Sequence, residues 1–348
     1  MADILGAGIS HWPRLRELDE TFPLRLRNVL KDPTLPDHFR NPATWPEQMQ
    51  REWAADEGLA AAHEHRAALV RGLRRVRAAI DDFAPDVVVI WGDDQYENFK
   101  EDIIPPFCIL GYEETVNAQP IGAAPNPWNE PSSTQFQMKT APEFARALAT
   151  GLIEASFDVA YAYKPLHFPG LSHAFYNSML YLDYDRKGFP YPVVPFTVNC
   201  YGSHVVSRSG RLHRVDQSDV RPDPPAPSPA RCFDLGRATA RFLKQSPWRV
   251  ALVASSSWSH AFLCDKNSHL YPDIPSDRRL YDALVAGDYA AWRETPLAAV
   301  VDAGEQELLN WFCLAGAMCE LDYRLSWSEF VSAYIFVSNK VAAIFNGP

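Results

Sequence analysis

The order of elements in this sequence predicts an α/β fold, with a mostly parallel central sheet covered by helices on both faces. Two observations carry that expectation. Short apolar runs bounded by Pro, Gly or Asp alternate with amphipathic stretches along the chain, as they do when parallel strands are joined by crossover helices. One of these runs, Val87-Val88-Val89-Ile90-Trp91, is apolar on both of its faces, which suits a strand covered on both sides. With 348 residues, 47 % of them hydrophobic and 22 % charged, the chain can bury a large core. It is expected to form one large domain over residues 1–348.

In chain order, residues 3–9 form a first apolar segment that runs into Ser10-His11-Trp12-Pro13, and Pro13 stops the ladder so that His11 falls at a strand exit. A Pro-rich excursion over about 23–50 is long enough to act as a lid. From Leu59 to Phe83 the spacing of Leu59, Leu69, Leu73, Val76 and Ile80 predicts an amphipathic helix, which Pro85 ends. The run from Asp86 follows and breaks abruptly into Gly92-Asp93-Asp94-Gln95. Residues 107–111 read as a strand, 118–133 as loop, 141–155 as helix and 157–163 as strand. His167 to His173 is a turn leading into a helix, and 191–201 is strand-like. The Pro-rich loop 221–229 favours extended geometry. A helix over 230–244, a strand over 249–257, helical stretches over 276–293 and 305–320, and a last strand or hairpin within 334–345 complete the pattern.

Composition excludes several classes of function. A net charge of -10 argues against nucleic acid as a partner. No window approaches the roughly 20 uninterrupted apolar residues of a membrane span, and the first residues lack the basic start and apolar segment of a signal peptide. The expected location is the cytoplasm. The six cysteines contain no Cys-x-x-Cys pair and are expected to be reduced thiols.

Three polar sites follow apolar strands directly: His11, the Asp93-Asp94-Gln95 cluster, and His260 after the 249–257 run. In a parallel sheet such strand ends gather on one edge, where open α/β sheets bind ligands. Helices that precede strands begin on that edge, so His63 and His65 are candidates to face it, as is Glu307 in the first turn of its helix. Two histidines and a carboxylate with open positions form the facial triad of non-haem Fe(II) enzymes.

Five segments in order, Ile9-Ser10-His11, Pro85 to Gln95, Ile103-Ile104-Pro105, Trp258-Ser259-His260 and Glu307 to Trp311 with Ala315-Gly316-Ala317, resemble the class III extradiol ring-cleavage dioxygenases. This is the family of the protocatechuate 4,5-dioxygenase catalytic subunit. The resemblance runs from residue 4 to about 345 and implies that family's α/β fold. It also implies that His11 and Glu307 are metal ligands and that His260 moves protons. Where the protocatechuate enzymes place a second ligand histidine this chain has Gln95. The Gly-Asp-Asp-Gln form and His173-Ala174-Phe175 are similar to the branch of 3-O-methylgallate dioxygenases, which points to His65 as second ligand. His63 and Gln95 stand as the alternatives. Residues two apart on a helix differ by roughly 200° in direction, so only one of His63 and His65 can point inward.

The resemblance implies an Fe(II)-dependent enzyme that opens a catechol-type ring with O2; the substrate classes it allows are protocatechuate, gallate, methylgallate and aminophenol or hydroxypyridone analogues. His260 and His173 are the expected catalytic residues. Gln95, Asp94, His167 and Trp258 are the expected substrate contacts, with Trp12 and Phe175 as further ring walls and Glu97 orienting a histidine. Two rival readings remain: a Zn(II) hydrolase or lyase on the same fold, and a family member without activity. A homodimer is the expected assembly, with a small separate subunit or the 23–50 excursion capping the site.

Overall fold

Why Val87–Gly92 is apolar throughout becomes clear from its place: it is an inner strand of an eight-stranded sheet. The computed structural model describes residues 3–117, 121–123, 125–167, 170–204 and 221–347. The strands are β1 (Ile4–Ile9), β2 (Val87–Gly92), β3 (Phe107–Leu110), β4 (Ala160–Ala162), β5 (Val193–Val198), β6 (Val250–Ser255), β7 (Arg324–Val331) and β8 (Lys340–Asn346). Their order across the sheet is β4-β3-β5-β2-β6-β1-β8-β7. The four strands β5-β2-β6-β1 run parallel, while β8 and β7 add an antiparallel hairpin at one edge and β3 turns antiparallel to β5 at the other.

Side chains alternate across the sheet. On β2, Val87, Val89 and Trp91 enter one apolar cluster, and Val88 and Ile90 enter the other. The first cluster is closed by helices α2 (Pro142–Glu154), α4 (Pro229–Lys244) and α6 (Leu309–Leu321), the second by α1 (Leu59–Phe83) and α3 (His173–Leu182). The expected α/β architecture, with helices on both faces, is the one observed.

Helices α4 and α6 pack with their backbones almost touching. A Cβ at Gly236 would lie 1.8 Å from the Cys313 carbonyl oxygen, and one at Gly316 would lie 1.9 Å from that of Phe233. Only glycine fits at either crossing point. The helix expected over 276–293 is two helices, α5 (Ile274–Ala286) and Tyr289–Glu294, because Gly287 adopts φ 68° and ends the first. Similarly, a 3-10 turn at Gln306–Leu308 precedes α6. The sequence reading missed β7, whose alternating Arg-Leu-Ser-Trp-Ser-Glu-Phe-Val keeps charge on an edge strand. Among the described residues no helix is long and apolar enough to cross a membrane.

Register levels the parallel strand ends. Ile9 lies opposite Ser255, Trp91 opposite Ala254, and Gly92 opposite Thr197. The segments just beyond those residues therefore converge on one edge, as strand polarity requires.

Candidate active site

A cavity of about 820 Å³ opens at that edge. Its floor carries His11, Gln95, His173, Ser257, His260 and Glu307, and one wall comes from the 23–50 excursion through Arg25, Asp32 and Leu35.

His11 is buried two residues beyond β1. Its Nδ1 lies 3.1 Å from both the carbonyl and the hydroxyl oxygen of Ser255, so the strand beside it fixes the ring. Nε2 points the other way, 3.5 Å from Asp93 Oδ1 and 3.6 Å from Glu307 Oε2. Asp93 is fully buried, and its Oδ1 has no hydrogen-bond partner. Glu307, at the start of α6, accepts hydrogen bonds from the Ser257 amide at 3.2 Å, from Gln95 at 3.3 Å and from the Tyr201 hydroxyl. Burial first, and the Asp93 charge second, push the Glu307 carboxyl up to about 8. Asp93 is likewise raised, chiefly by burial. Two acids have thus been taken out of water side by side, an arrangement that a bound cation relieves.

His173 opens α3. Its backbone amide and Nδ1 both meet the Glu97 carboxylate, at 2.9 and 3.1 Å, and its ring stands edge-on to His11 with centroids 5.2 Å apart. Burial pulls its pKa down, but Glu97, with Asp93 and Glu307 beyond, outweighs burial and pushes it up to about 10. His260, by contrast, has its Nε2 3.4 Å from Glu307 Oε1 and its pKa pushed down to about 3, by burial first and Lys340 second.

The residues present fit a divalent metal. Donor atoms of His11, Asp93 and His173 lie within 4.8 Å of one another, the single such group among the described residues. Two donors each about 2.1 Å from one ion stand roughly 3.0–3.4 Å apart, close to the separations at His11. Glu307 Oε2, beside the same His11 nitrogen, offers a further carboxylate donor, while His173 is engaged through Nδ1 with Glu97.

Several sequence-predicted residues lie elsewhere. His65, buried on α1, is not on the cavity: its ring sits edge-on to Trp12 at 5.4 Å and against Phe336 at 5.0 Å, and its Nε2 has no partner. It shares the helix stripe of Leu69, Leu73, Val76 and Ile80, all of which face the core. His63 is exposed, with Nε2 3.5 Å from Asp19. Asp94 does not reach the cavity, because its carboxylate accepts from the backbone amides of Glu97, Asn98 and Phe99 and ties the loop after β2. His167 is exposed on a surface turn and pairs with Asp102 at 2.7 Å. Trp258 is fully buried among Trp292, Trp311 and Phe330, and Phe175 is packed against Gly92. Gln95 does line the cavity, as a hydrogen-bonding strut: its amide donates to Asp93 at 3.0 Å, to Tyr201 at 3.1 Å and to Glu307. Tyr201 went unpredicted. Its only signal is its position three residues beyond β5.

Residues 223–343, which include His260 and Glu307, match the family described as the catalytic LigB subunit of aromatic ring-opening dioxygenase. Over this stretch, about a third of its length, the chain is similar to the class III extradiol dioxygenases. A Comamonas testosteroni protein named 2,3-dihydroxyphenylpropionate/2,3-dihydroxicinnamic acid 1,2-dioxygenase is 28 % identical over 193 residues. That match covers 56 % of this chain and 49 % of the relative, so the chain spans about half of that relative's length. A Burkholderia vietnamiensis protein of the same name is 25 % identical over 291 residues, covering 75 % of this chain and 86 % of its own. Among solved structures, an uncharacterized protein of Escherichia coli K12 aligns over 79 % of this chain and 91 % of its own, at 12 % identity and a TM-score of 0.47. A likeness that loose bears no weight.

Proposed function

We propose that this chain is an Fe(II)-dependent extradiol dioxygenase that opens the ring of a catechol-type aromatic with O2, and that His11, Asp93 and Glu307 hold the metal. The observation that carries the reading is the convergence of His11 Nε2 on Asp93 Oδ1 and Glu307 Oε2, at the edge of a cavity large enough for an aromatic ring. When bound, a ferrous ion supplies positive charge that acidifies the ring hydroxyls and open positions for substrate and O2.

The protein's own residues supply the proton transfers. His260 is neutral at working pH and reaches the Glu307 side of the floor, where it accepts a proton from a ring hydroxyl. His173, held charged by Glu97, donates a proton or hydrogen bond to an oxygen that gains negative charge. A base and an acid whose environments drive their pKa values apart thus face one cavity. Gln95 and Tyr201 fix the two acids, and Trp12 walls the substrate ring.

The test is O2 uptake by protein purified without oxygen and loaded with Fe(II), over a panel of catechol, 3,4-dihydroxybenzoate and 2,3-dihydroxyphenylpropionate, the last taken from the relatives' names. Uptake of one O2 per ring opened is expected with Fe(II) and not with Zn(II). No uptake across the panel, with iron bound at one equivalent, contradicts the reading.

A further inference from the structure

Arg25 is the feature of the cavity that the proton chemistry leaves unused. It lies on the short helix Leu24–Val29 in the excursion and lines the cavity. No ion pair or hydrogen bond of Arg25 occurs among the described residues; its guanidinium carbon stands over the Phe262 ring, 5.5 Å from the centroid. The acids that share the cavity are all engaged elsewhere. Glu17 pairs with Arg14, Asp32 accepts from the Thr34 amide and hydroxyl, Asp265 faces His269, and Glu307 belongs to the floor. The like charge of Arg14 adds to burial in pulling its pKa down to about 10. Arg25 therefore stays charged at neutral pH, partly withdrawn from water and without an anion. Such a charge is costly unless something pairs with it.

We propose that Arg25 is the specificity-determining residue of this cavity, binding a carboxylate carried on a side chain of the aromatic substrate. This inference rests on the ring-opening reading for the identity of the ring, but not for the presence of an anion site. Placement supports a side-chain carboxylate. Phe262, under the guanidinium, is in turn edge-on to His260 at 5.0 Å, so the cation lies two ring contacts from the residue that meets the ring hydroxyl. A ring held between Trp12 and His260 points a short acidic substituent along Phe262 toward Arg25. A guanidinium suits that task because its planar fork matches both carboxylate oxygens.

The experiment compares 2,3-dihydroxyphenylpropionate with its methyl ester, which has the same ring without the charge, in wild type, Arg25→Gln and Arg25→Lys. Arg25→Gln is expected to lower kcat/KM for the acid by roughly 10- to 100-fold, mainly through KM. The ester should be unaffected, and Arg25→Lys should recover part of the loss. An equal loss on acid and ester, or no loss on the acid, overturns the proposal. Calorimetric binding of unreactive 3-phenylpropionate separates this inference from the ring-opening reading. If no catechol is opened but Arg25→Gln weakens that binding by the same factor, the anion site stands and the reaction assignment fails. Equal binding by both proteins removes the anion site.

Discussion

Trp12 separates two buried histidines that burial alone does not distinguish. His11, 1 % exposed, and His65, 5 % exposed, are both held well below the ordinary imidazole pKa, by burial first. On the His11 side, Nε2 meets the carboxylates of Asp93 and Glu307. On the His65 side the neighbours are the Trp12 and Phe336 rings and Lys340, whose ammonium lies 4.0 Å from the Trp12 ring centroid and donates to the carbonyls of Phe336 and Ser338. What distinguishes the two sides is the convergence of anionic donors on His11, which the imidazole of His65 lacks.

That contrast is sharpened first by Glu97→Gln. Glu97 touches only the His11 side, through His173, so its neutralisation should free His173 to lose its proton. Activity or metal affinity is expected to fall by roughly 10- to 100-fold, as for other residues that orient groups around a metal, with the melting temperature of the apoprotein little changed. A variant as active as wild type would separate His173 from the chemistry.

A smaller effect is expected in the pH dependence of stability, where the two buried histidines respond in one sense and Glu307 in the other. His65 and His11 have depressed pKa values, so the stability they contribute is present above about 6.5 and lost as pH falls. Glu307 has a raised pKa, so its contribution is present below about 4.5 and lost as pH rises through about 8. A metal displaces that proton. The rise in melting temperature on adding Fe(II) should therefore be larger at pH 8 than at pH 6, and an equal rise at both would mean that no protonated acid lies in the site.

Much of this was legible in the sequence because strand ends are. His11, Gln95 and His260 follow apolar runs that stop in polar residues, Glu307 opens a helix that starts beside them, and polarity in a parallel sheet brings such positions to one edge. The choice of second ligand between His65, His63 and Gln95 was not legible in the same way. His65 lies on the apolar stripe of α1 with Leu69 and Leu73, which marks a histidine facing the core, whereas the resemblance drew attention to the helix. His173 is positioned by Glu97, a partner 76 residues away. Tyr201 takes its importance from hydrogen bonds with Gln95 and Glu307, and Asp93 from the approach of His11, links between distant segments that no local pattern displays.

The most direct test is the iron content of four variants, His11→Ala, Asp93→Ala, His65→Ala and His63→Ala, each purified and reconstituted with Fe(II) without oxygen. If the centre is built from the strand ends, His11→Ala and Asp93→Ala lose their iron while His65→Ala and His63→Ala retain one equivalent. Iron lost from His65→Ala or His63→Ala but kept by a folded Asp93→Ala would contradict the account and return the second ligand to the helix.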